Sequence, residues 1–163
     1  MFLKSPQYPQ VKASFKAALN DRFSPSEIRF MWRESLIHFF GMSQHDQLTA
    51  RDVVFSSDQC ERIVEVIHRL NSGEPFQYLV GEVAFLGLTL QIDSRALIPR
   101  PETEELTAWI IQDYQQDAKS VLDVCSGSGC ISLALSDAFE KAHVVGVDAS
   151  IEAVCLAEEN ALA

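Results

Sequence analysis

Apolar side chains in the first seventy residues recur at spacings of three and four, the period of helices that bury one face. Residues 24–27 (Ser-Pro-Ser-Glu) predict a helix start, because Ser24 can cap, proline suits the first helical position and Glu27 can reach back to the cap. Gly41 predicts the end of that helix. The side chains on the core-facing side of this helix are predicted to be Ile28, Met31, Trp32, Ser35, Leu36, Phe39 and Phe40.

Further helical signals follow before residue 75. Residues 49–52 (Thr-Ala-Arg-Asp) contain a second cap signal, and Ser57 begins a longer helix that ends near Gly73. The apolar face of this longer helix is predicted to consist of Ile63, Val64, Ile67 and Leu70. These helices predict a small bundle over residues 1–75.

From Pro75 onward, glycines and short alternating runs replace the helical period. Residues 83–86 and 88–92 alternate in polarity and predict a β-hairpin at the joint between two units. Pro101 is well placed to open a helix that runs to about Gln115.

The last third of the chain alternates strand and helix. The pattern predicts strands at 120–124 and 143–147 and helices at 129–138 and 151–162. Strand–helix–strand order predicts parallel strands with right-handed crossovers. The predicted fold class is α/β, with a small N-terminal helical bundle (1–75) followed by an incomplete Rossmann-like domain (76–163).

Composition and charge narrow the function classes. The chain has 163 residues, of which 47% are hydrophobic, and this is enough for a core. No run approaches the roughly 18 apolar residues of a membrane span, so we expect a cytoplasmic protein without a membrane partner. The net charge of -10 argues against direct binding to nucleic acid. Residues 1–70 contain nine Lys/Arg and eight Asp/Glu, whereas the remainder contains four and fifteen, so the first unit better suits an anionic partner.

No metal site is predicted, because cysteine and histidine spacing gives no ligand set. The cysteines are Cys60, Cys125, Cys130 and Cys155, and the histidines are His38, His45, His68 and His143. We expect reduced thiols, with Cys60 and Cys155 buried as small apolar side chains.

Residues 123–129 (Asp-Val-Cys-Ser-Gly-Ser-Gly) follow an apolar strand and precede a helix. Glycines there allow a tight turn and close approach by a ligand, and the amides at a helix N-terminus point outward. Nineteen residues after Gly129, Asp148 ends the next strand, where a carboxylate can accept hydrogen bonds from both hydroxyls of a ribose. The two features predict one adenosine-containing ligand.

The third position of the glycine pattern separates two kinds of ligand. Dinucleotide enzymes need Gly-x-Gly-x-x-Gly to approach a pyrophosphate, and Ser132 replaces the third glycine here. An acid at Asp123 ahead of the two glycines resembles the loop of S-adenosylmethionine-dependent methyltransferases. The candidate cofactor-binding residues are Asp123, Cys125, Ser126, Gly127, Ser128, Gly129 and Asp148. A nucleotide oxidoreductase and a plain structural turn are the alternatives.

Longer motifs make the resemblance more specific. Residues 74–81 (Glu-Pro-Phe-Gln-Tyr-Leu-Val-Gly), Phe85, residues 97–106 and residues 123–131 are similar, in order, to motifs of the release-factor glutamine methyltransferases. The similarity extends over roughly residues 24–163, and Pro-Arg-Pro-Glu-Thr-Glu, within 97–106, is its most specific element. It implies that Arg100 and Thr103, in that segment, border the cofactor pocket; the alternative for Thr103 is local capping in the first turn of a helix. Cys125 stands where many such loops have Gly, so it must hold the loop conformation with a Cβ.

The resemblance implies methyl transfer from S-adenosylmethionine to the side-chain amide nitrogen of the Gln in the Gly-Gly-Gln motif of peptide-chain release factors. The helical unit would recognise this protein substrate. In the family an Asn-Pro-Pro-Tyr motif holds the acceptor amide, and this sequence does not contain it, so we predict no catalytic residue. We expect the front portion of a longer enzyme, inactive alone. The alternative is a noncatalytic translation-factor-binding module with a vestigial cofactor domain.

Overall fold

The computed structural model describes residues 6–114 and 118–163. The chain divides into two compact units, of which the first ends at Val80 and the second is Gly81–Ala163. The first unit is helical and the second combines helices with short sheets, so the predicted fold class is confirmed.

The helical unit is built from consecutive helices joined by short turns. Its elements are α1 (Tyr8–Leu19), α2 (Pro25–Phe40), α3 (Gln44–Thr49), a 3-10 turn (Ala50–Asp52), α4 (Ser57–Ser72) and α5 (Phe76–Val80). No helix was predicted over residues 76–80, which were placed from the sequence in the second domain (76–163). They form α5 instead, because Phe76 and Leu79 are buried in the core of the first unit.

Capping explains where the long helices begin and end. Ser24 and Glu27 form the predicted reciprocal capping box at α2, and Gly41 ends that helix in the left-handed conformation. At α4, Ser56 and Gln59 form a capping box, and Gly73 ends the helix in the left-handed conformation. The prediction of a second cap at Thr49 is wrong, because its hydroxyl donates to the carbonyl of Asp46 as α3 ends.

The core of this unit contains a cluster of aromatic rings. Trp32 is buried as predicted, and its indole N–H donates to the hydroxyl of Tyr8 at 3.0 Å. The rings of Phe15 and Phe55 lie against Trp32. The predicted apolar face of α4 is wrong at Val64, which is exposed, because the helix turns Val66 inward in its place.

The second unit contains a hairpin followed by the predicted strand–helix alternation. Its elements are β1 (Glu82–Phe85), β2 (Leu88–Gln91), α6 (Pro101–Tyr114), β3 (Ser120–Val124), α7 (Cys130–Ala138), β4 (His143–Val147) and α8 (Ile151–Ala161). β1 pairs with β2 antiparallel. The predicted end of α6 at about Gln115 lies outside the described residues.

β3 and β4 pair in parallel, with Ser120 opposite His143. One face of this pair lies against α7. The opposite face presents apolar side chains that are exposed among the described residues, namely Leu122, Val124, Val145 and Val147. Within residues 6–114 and 118–163, no helix is long and apolar enough to cross a bilayer. The same residues contain no group of three His, Cys, Asp or Glu side chains that could hold a metal ion.

Candidate functional site

The predicted loop and the predicted acid lie at one edge of the β3–β4 sheet. Val124 and Val147 are opposite each other at the carboxyl ends of the two strands. Parallel strands end at the same edge, so residues 125–129, here called the glycine loop, and Asp148 are neighbours. The N–H of Ser126 donates to the carbonyl of Val147 at 3.0 Å and extends the strand pairing into the loop.

Three backbone positions of the glycine loop are left-handed. Gly127 has a φ of 55° and Gly129 a φ of 80°, values that glycine adopts without steric cost. Cys125 has a φ of 65° although it has a Cβ, so it holds the conformation that the sequence required of it. Its side chain is exposed.

Asp148 accepts hydrogen bonds with both carboxylate oxygens. Oδ2 accepts from the N–H of Gly127 at 2.8 Å, and Oδ1 accepts from the N–H of Ser150 at 3.0 Å. The N–H groups of Ser150, Gly127 and Ala149 hold the pKa of this carboxyl below its ordinary value. The side chain is therefore ionised at neutral pH, and it is partly exposed.

The residue that caps α8 is Ser150 and not Asp148. The hydroxyl of Ser150 accepts from the N–H of Ala153 at 3.2 Å, which is the bond that caps this helix. The carboxylate of Asp148 is thus tied to the glycine loop and to the turn before α8 rather than to the helix itself.

Asp123 lies beneath the loop and holds the start of α7. It is buried, and its Oδ2 accepts from the N–H of Ser132 at 3.2 Å. The hydroxyl of Ser132 donates to the carbonyl of Gly129 at 3.1 Å. Asp123 therefore supports the helix that follows the loop, and its role toward a cofactor stays a prediction.

In dinucleotide sites, the third glycine of the loop allows the helix and the strand to approach closely. Here the glycine that allows this approach lies on the strand. A Cβ on Gly146 in β4 would lie 3.2 Å from both the Cβ of Ser126 and the Oγ of Ser132. A small residue on the strand thus accommodates the serine on α7. Gly146 was not among the residues predicted from the sequence, although a lone glycine inside a strand is a signal of close backbone approach.

Two further residues were missed by the sequence analysis. Asn160 is buried in α8, and its amide reaches both β2 and the carbonyl of Ser128. Its signal was the helical spacing, because Ala153, Leu156 and Asn160 share the buried face of α8. Ser128 itself is also buried.

Glu104 is the second residue, after Asn160, that was missed from the sequence. It lies in the first turn of α6, where an acidic side chain is favourable, and its Oε1 accepts from the N–H of Leu86 at 2.7 Å. Leu86 lies in the hairpin turn with a φ of 48°. In the same turn of α6, the carbonyl of Thr103 accepts from the hydroxyl of Thr107, and the carbonyl of Arg100 accepts from the N–H of Thr103.

The donor set of the loop fits a ligand with hydroxyl groups better than a pyrophosphate. The N–H groups of Gly127 and Gly129 are both donated within the protein, to Asp148 and to the carbonyl of Ser126. A pyrophosphate site needs such N–H groups to face the ligand. A carboxylate oxygen has more than one lone pair, so Asp148 can accept further hydrogen bonds from ligand hydroxyls.

A parallel strand–loop–helix–strand unit with an acid after the second strand is the arrangement expected of the first part of a Rossmann-like domain. Comparison with known families indicates that this domain is a methyltransferase domain. Residues 102–163 match the methyltransferase small domain, and residues 10–81 match the PrmC N-terminal domain. The two matched domains together cover most of the chain and are consistent with the release factor glutamine methyltransferase family.

Individual relatives match over both units. The release factor glutamine methyltransferase of Lactococcus lactis is 38% identical over 141 residues, which are 86% of this chain and 51% of that protein. The protein of the same name from Flavobacterium psychrophilum is 32% identical over 155 residues, 93% of this chain and 54% of its own length. The chain spans about half the length of these curated relatives.

Proposed function

We propose that this chain forms the cofactor-binding half of an S-adenosylmethionine-dependent methyltransferase that modifies the Gln of the Gly-Gly-Gln motif in peptide-chain release factors. The observation that supports it most strongly is the hydrogen bond from the N–H of Gly127 to Asp148. It joins the loop and the acid into one site in a chain that matches two domains of this family.

In this proposal each predicted residue has a distinct task. Asp148 accepts hydrogen bonds from the two ribose hydroxyls of the cofactor, since its carboxylate is ionised and partly exposed. The glycine loop, Cys125, Ser126, Gly127, Ser128 and Gly129, forms the backbone surface on which the cofactor lies. Asp123 keeps that surface in place through its bond to α7.

S-adenosylmethionine supplies an electrophilic methyl group when it is bound. The acceptor is a side-chain amide nitrogen, whose delocalised lone pair makes it a poor nucleophile, so the protein acts mainly by positioning the two reactants. The residues of this chain hold the donor side of that arrangement. The helical unit, with nine basic and eight acidic residues over positions 1–70, is the part that we assign to recognition of the release factor.

The test is calorimetric titration of the chain with S-adenosylhomocysteine. We expect one binding site and a loss of affinity of about tenfold or more for Asp148→Ala, the effect of removing hydrogen bonds to a charged group. The matched control is Asp137→Ala, an exposed acid on α7 that leaves the loop unchanged. Equal affinity in the wild type and Asp148→Ala would remove Asp148 from the site.

Substrate and cofactor are tested separately. Binding of a release factor is measured by the same method, and methylation of its Gln by mass spectrometry, using a protein in which this sequence is joined to the rest of a methyltransferase domain. Methylated Gln supports the enzyme. Release-factor binding by that protein without methylation supports instead a noncatalytic binding module.

A further inference from the structure

The side-chain amide of Asn160 makes three hydrogen bonds to backbone groups of two separate segments. Oδ1 accepts from the N–H of Gln91 at 2.6 Å, and Nδ2 donates to the carbonyl of Gln91 at 3.1 Å. Nδ2 also donates to the carbonyl of Ser128 at 2.9 Å. The amide therefore pairs with β2 as a neighbouring strand would, and it holds the glycine loop at the same time.

Only one orientation of this amide satisfies its surroundings. The partners are one N–H donor and two carbonyl acceptors, which match one amide oxygen and one NH₂ group. An exchange of the oxygen and nitrogen positions would place the NH₂ against the N–H of Gln91 and the oxygen against two carbonyls. Because Asn160 is buried, water cannot relieve such a mismatch.

The bond to Ser128 completes a clamp on one peptide group of the loop. The carbonyl of the Ser128–Gly129 peptide accepts from Asn160, and its N–H donates to the carbonyl of Ser126 at 2.8 Å. The plane of this peptide is fixed from both ends. The preceding residue, Gly127, is the one that donates to Asp148.

We propose that Asn160 is a positioning residue for the cofactor: it sets the plane of the Ser128–Gly129 peptide and thereby the surface that the glycine loop presents. This inference rests on the proposed function, since the loop is the surface assigned to the cofactor. It assigns Asn160 no direct contact with the ligand.

A neighbouring contact separates this role from a simple attachment of α8. Arg95 follows β2 and donates to both carboxylate oxygens of Glu159 at 2.7 Å, and also to Asp93. This ion pair joins α8 to the segment after β2 without a bond to the glycine loop. Glu159→Gln is therefore the matched control, one position away from Asn160.

The experiment measures amide hydrogen exchange by nuclear magnetic resonance on the whole chain without ligand. In Asn160→Ala we expect the N–H of Gly129 to exchange about three- to tenfold faster relative to the amides of β3 and β4, the factor that one hydrogen bond gives. Glu159→Gln should leave that ratio unchanged. Asn160→Asp keeps the shape of the side chain and the acceptor for the N–H of Gln91, but it places an oxygen against the carbonyl of Ser128. It should therefore also make the N–H of Gly129 exchange faster relative to the amides of β3 and β4.

A uniform rise in exchange over Gly81–Ala163 in both Asn160 variants would show that the residue is merely structural and would overturn the proposal. Should Asn160→Ala fail to fold, Asn160→Asp alone decides. The affinity for S-adenosylhomocysteine is the second measurement, and we expect Asn160→Asp to weaken it while Glu159→Gln does not. Wild-type protein that binds no S-adenosylhomocysteine contradicts the proposed function, whereas the exchange ratio still tests the role of Asn160 in the loop.

Discussion

The carboxylate of Asp148 accepts a hydrogen bond at 2.8 Å from the N–H of Gly127, a residue 21 positions earlier in the sequence. Asp148 follows β4 and Gly127 lies in the turn after β3, so this bond joins the two halves of the candidate site, beside the bond from the N–H of Ser126 to the carbonyl of Val147. The position of the loop consequently depends on the charge of Asp148.

Stability should therefore depend on pH through Asp148. Its pKa is lowered from the ordinary value of 3.8 by the N–H groups of Ser150, Gly127 and Ala149. Because the folded-state pKa lies below the unfolded one, the ionised group stabilises the fold above pH 3.8, and this contribution disappears as the pH falls through the lowered pKa. We expect Asp148→Asn to be less stable than wild type at pH 7, with the gap closing below pH 3.8.

The measurement is urea unfolding followed by circular dichroism from pH 7 downward. Asp137→Asn is the control, because it removes a carboxylate of equal charge from an exposed position on α7. A gap between wild type and Asp148→Asn that stays constant over the whole pH range would contradict the assignment of this contribution to the Asp148 charge.

Local signals in the sequence were sufficient for most of the fold. The capping box at Ser24 and the glycine stop at Gly41 involve residues a few positions apart, and the structure has both. Errors arose where local spacing leaves a choice. Val64 and Val66 both fit the period of an apolar helix face, and only packing decides between them. Cys155, predicted to be buried, is exposed on α8.

The proximity of the loop and the acid was predictable from the sequence, but the contacts that support them were not. The loop glycines and Asp148 are recognisable because strand, turn and helix follow each other directly. The bond from Leu86 to Glu104 joins residues 18 positions apart, and the bond from Asn160 to Ser128 joins residues 32 positions apart. No local pattern specifies such partners, since they depend on how the hairpin and the helices pack.

The two loop glycines should differ in their tolerance of a side chain. Both are left-handed, so alanine at either position incurs strain of about 1–2 kcal/mol. A Cβ on Gly129 would also lie 3.1 Å from the Cβ of Ala157, whereas one on Gly127 meets the Cβ of Ala96 at an ordinary 3.9 Å. We expect Gly129→Ala to lower the free energy of unfolding by about 3 kcal/mol, because overpacking adds to the strain.

Gly127→Ala is the matched comparison for this prediction, with an expected loss of about 1 kcal/mol from backbone strain alone. Both variants are measured by urea unfolding at neutral pH. Equal losses would show that contact with Ala157 does not contribute.

Replacement of Cys125 by glycine should stabilise the folded protein. The φ of 65° at Cys125 costs a residue with a Cβ about 1–2 kcal/mol. Glycine removes that cost but loses about 0.4–1 kcal/mol through greater freedom of the unfolded chain. The net expectation for Cys125→Gly is a gain of about 0.5–1 kcal/mol in the free energy of unfolding.

The same substitution at Cys155 provides the control with the opposite sign. Cys155 is exposed within α8, and glycine inside a helix is unfavourable by about 0.5–1 kcal/mol. Thermal unfolding of both variants should therefore show a raised Tm for Cys125→Gly and a lowered Tm for Cys155→Gly. A lowered Tm for both would mean that Cys125 is not strained.

Glu104 should matter more than the acid beside it. Its Oε1 accepts from the N–H of Leu86 in the hairpin turn, where Leu86 adopts a φ of 48° that its side chain disfavours. Loss of this bond leaves a partly buried N–H without its acceptor, so Glu104→Ala should lower the free energy of unfolding by about 1–2 kcal/mol. Glu105→Ala, an exposed acid on the same turn of α6, should change it by less than about 0.5 kcal/mol.

Urea unfolding measures both losses in the free energy of unfolding. Hydrogen exchange at Leu86 locates the effect, which should be confined to the hairpin if the carboxylate holds the turn. A Leu86 amide that exchanges equally slowly in wild type and Glu104→Ala would mean that the turn is held without Glu104.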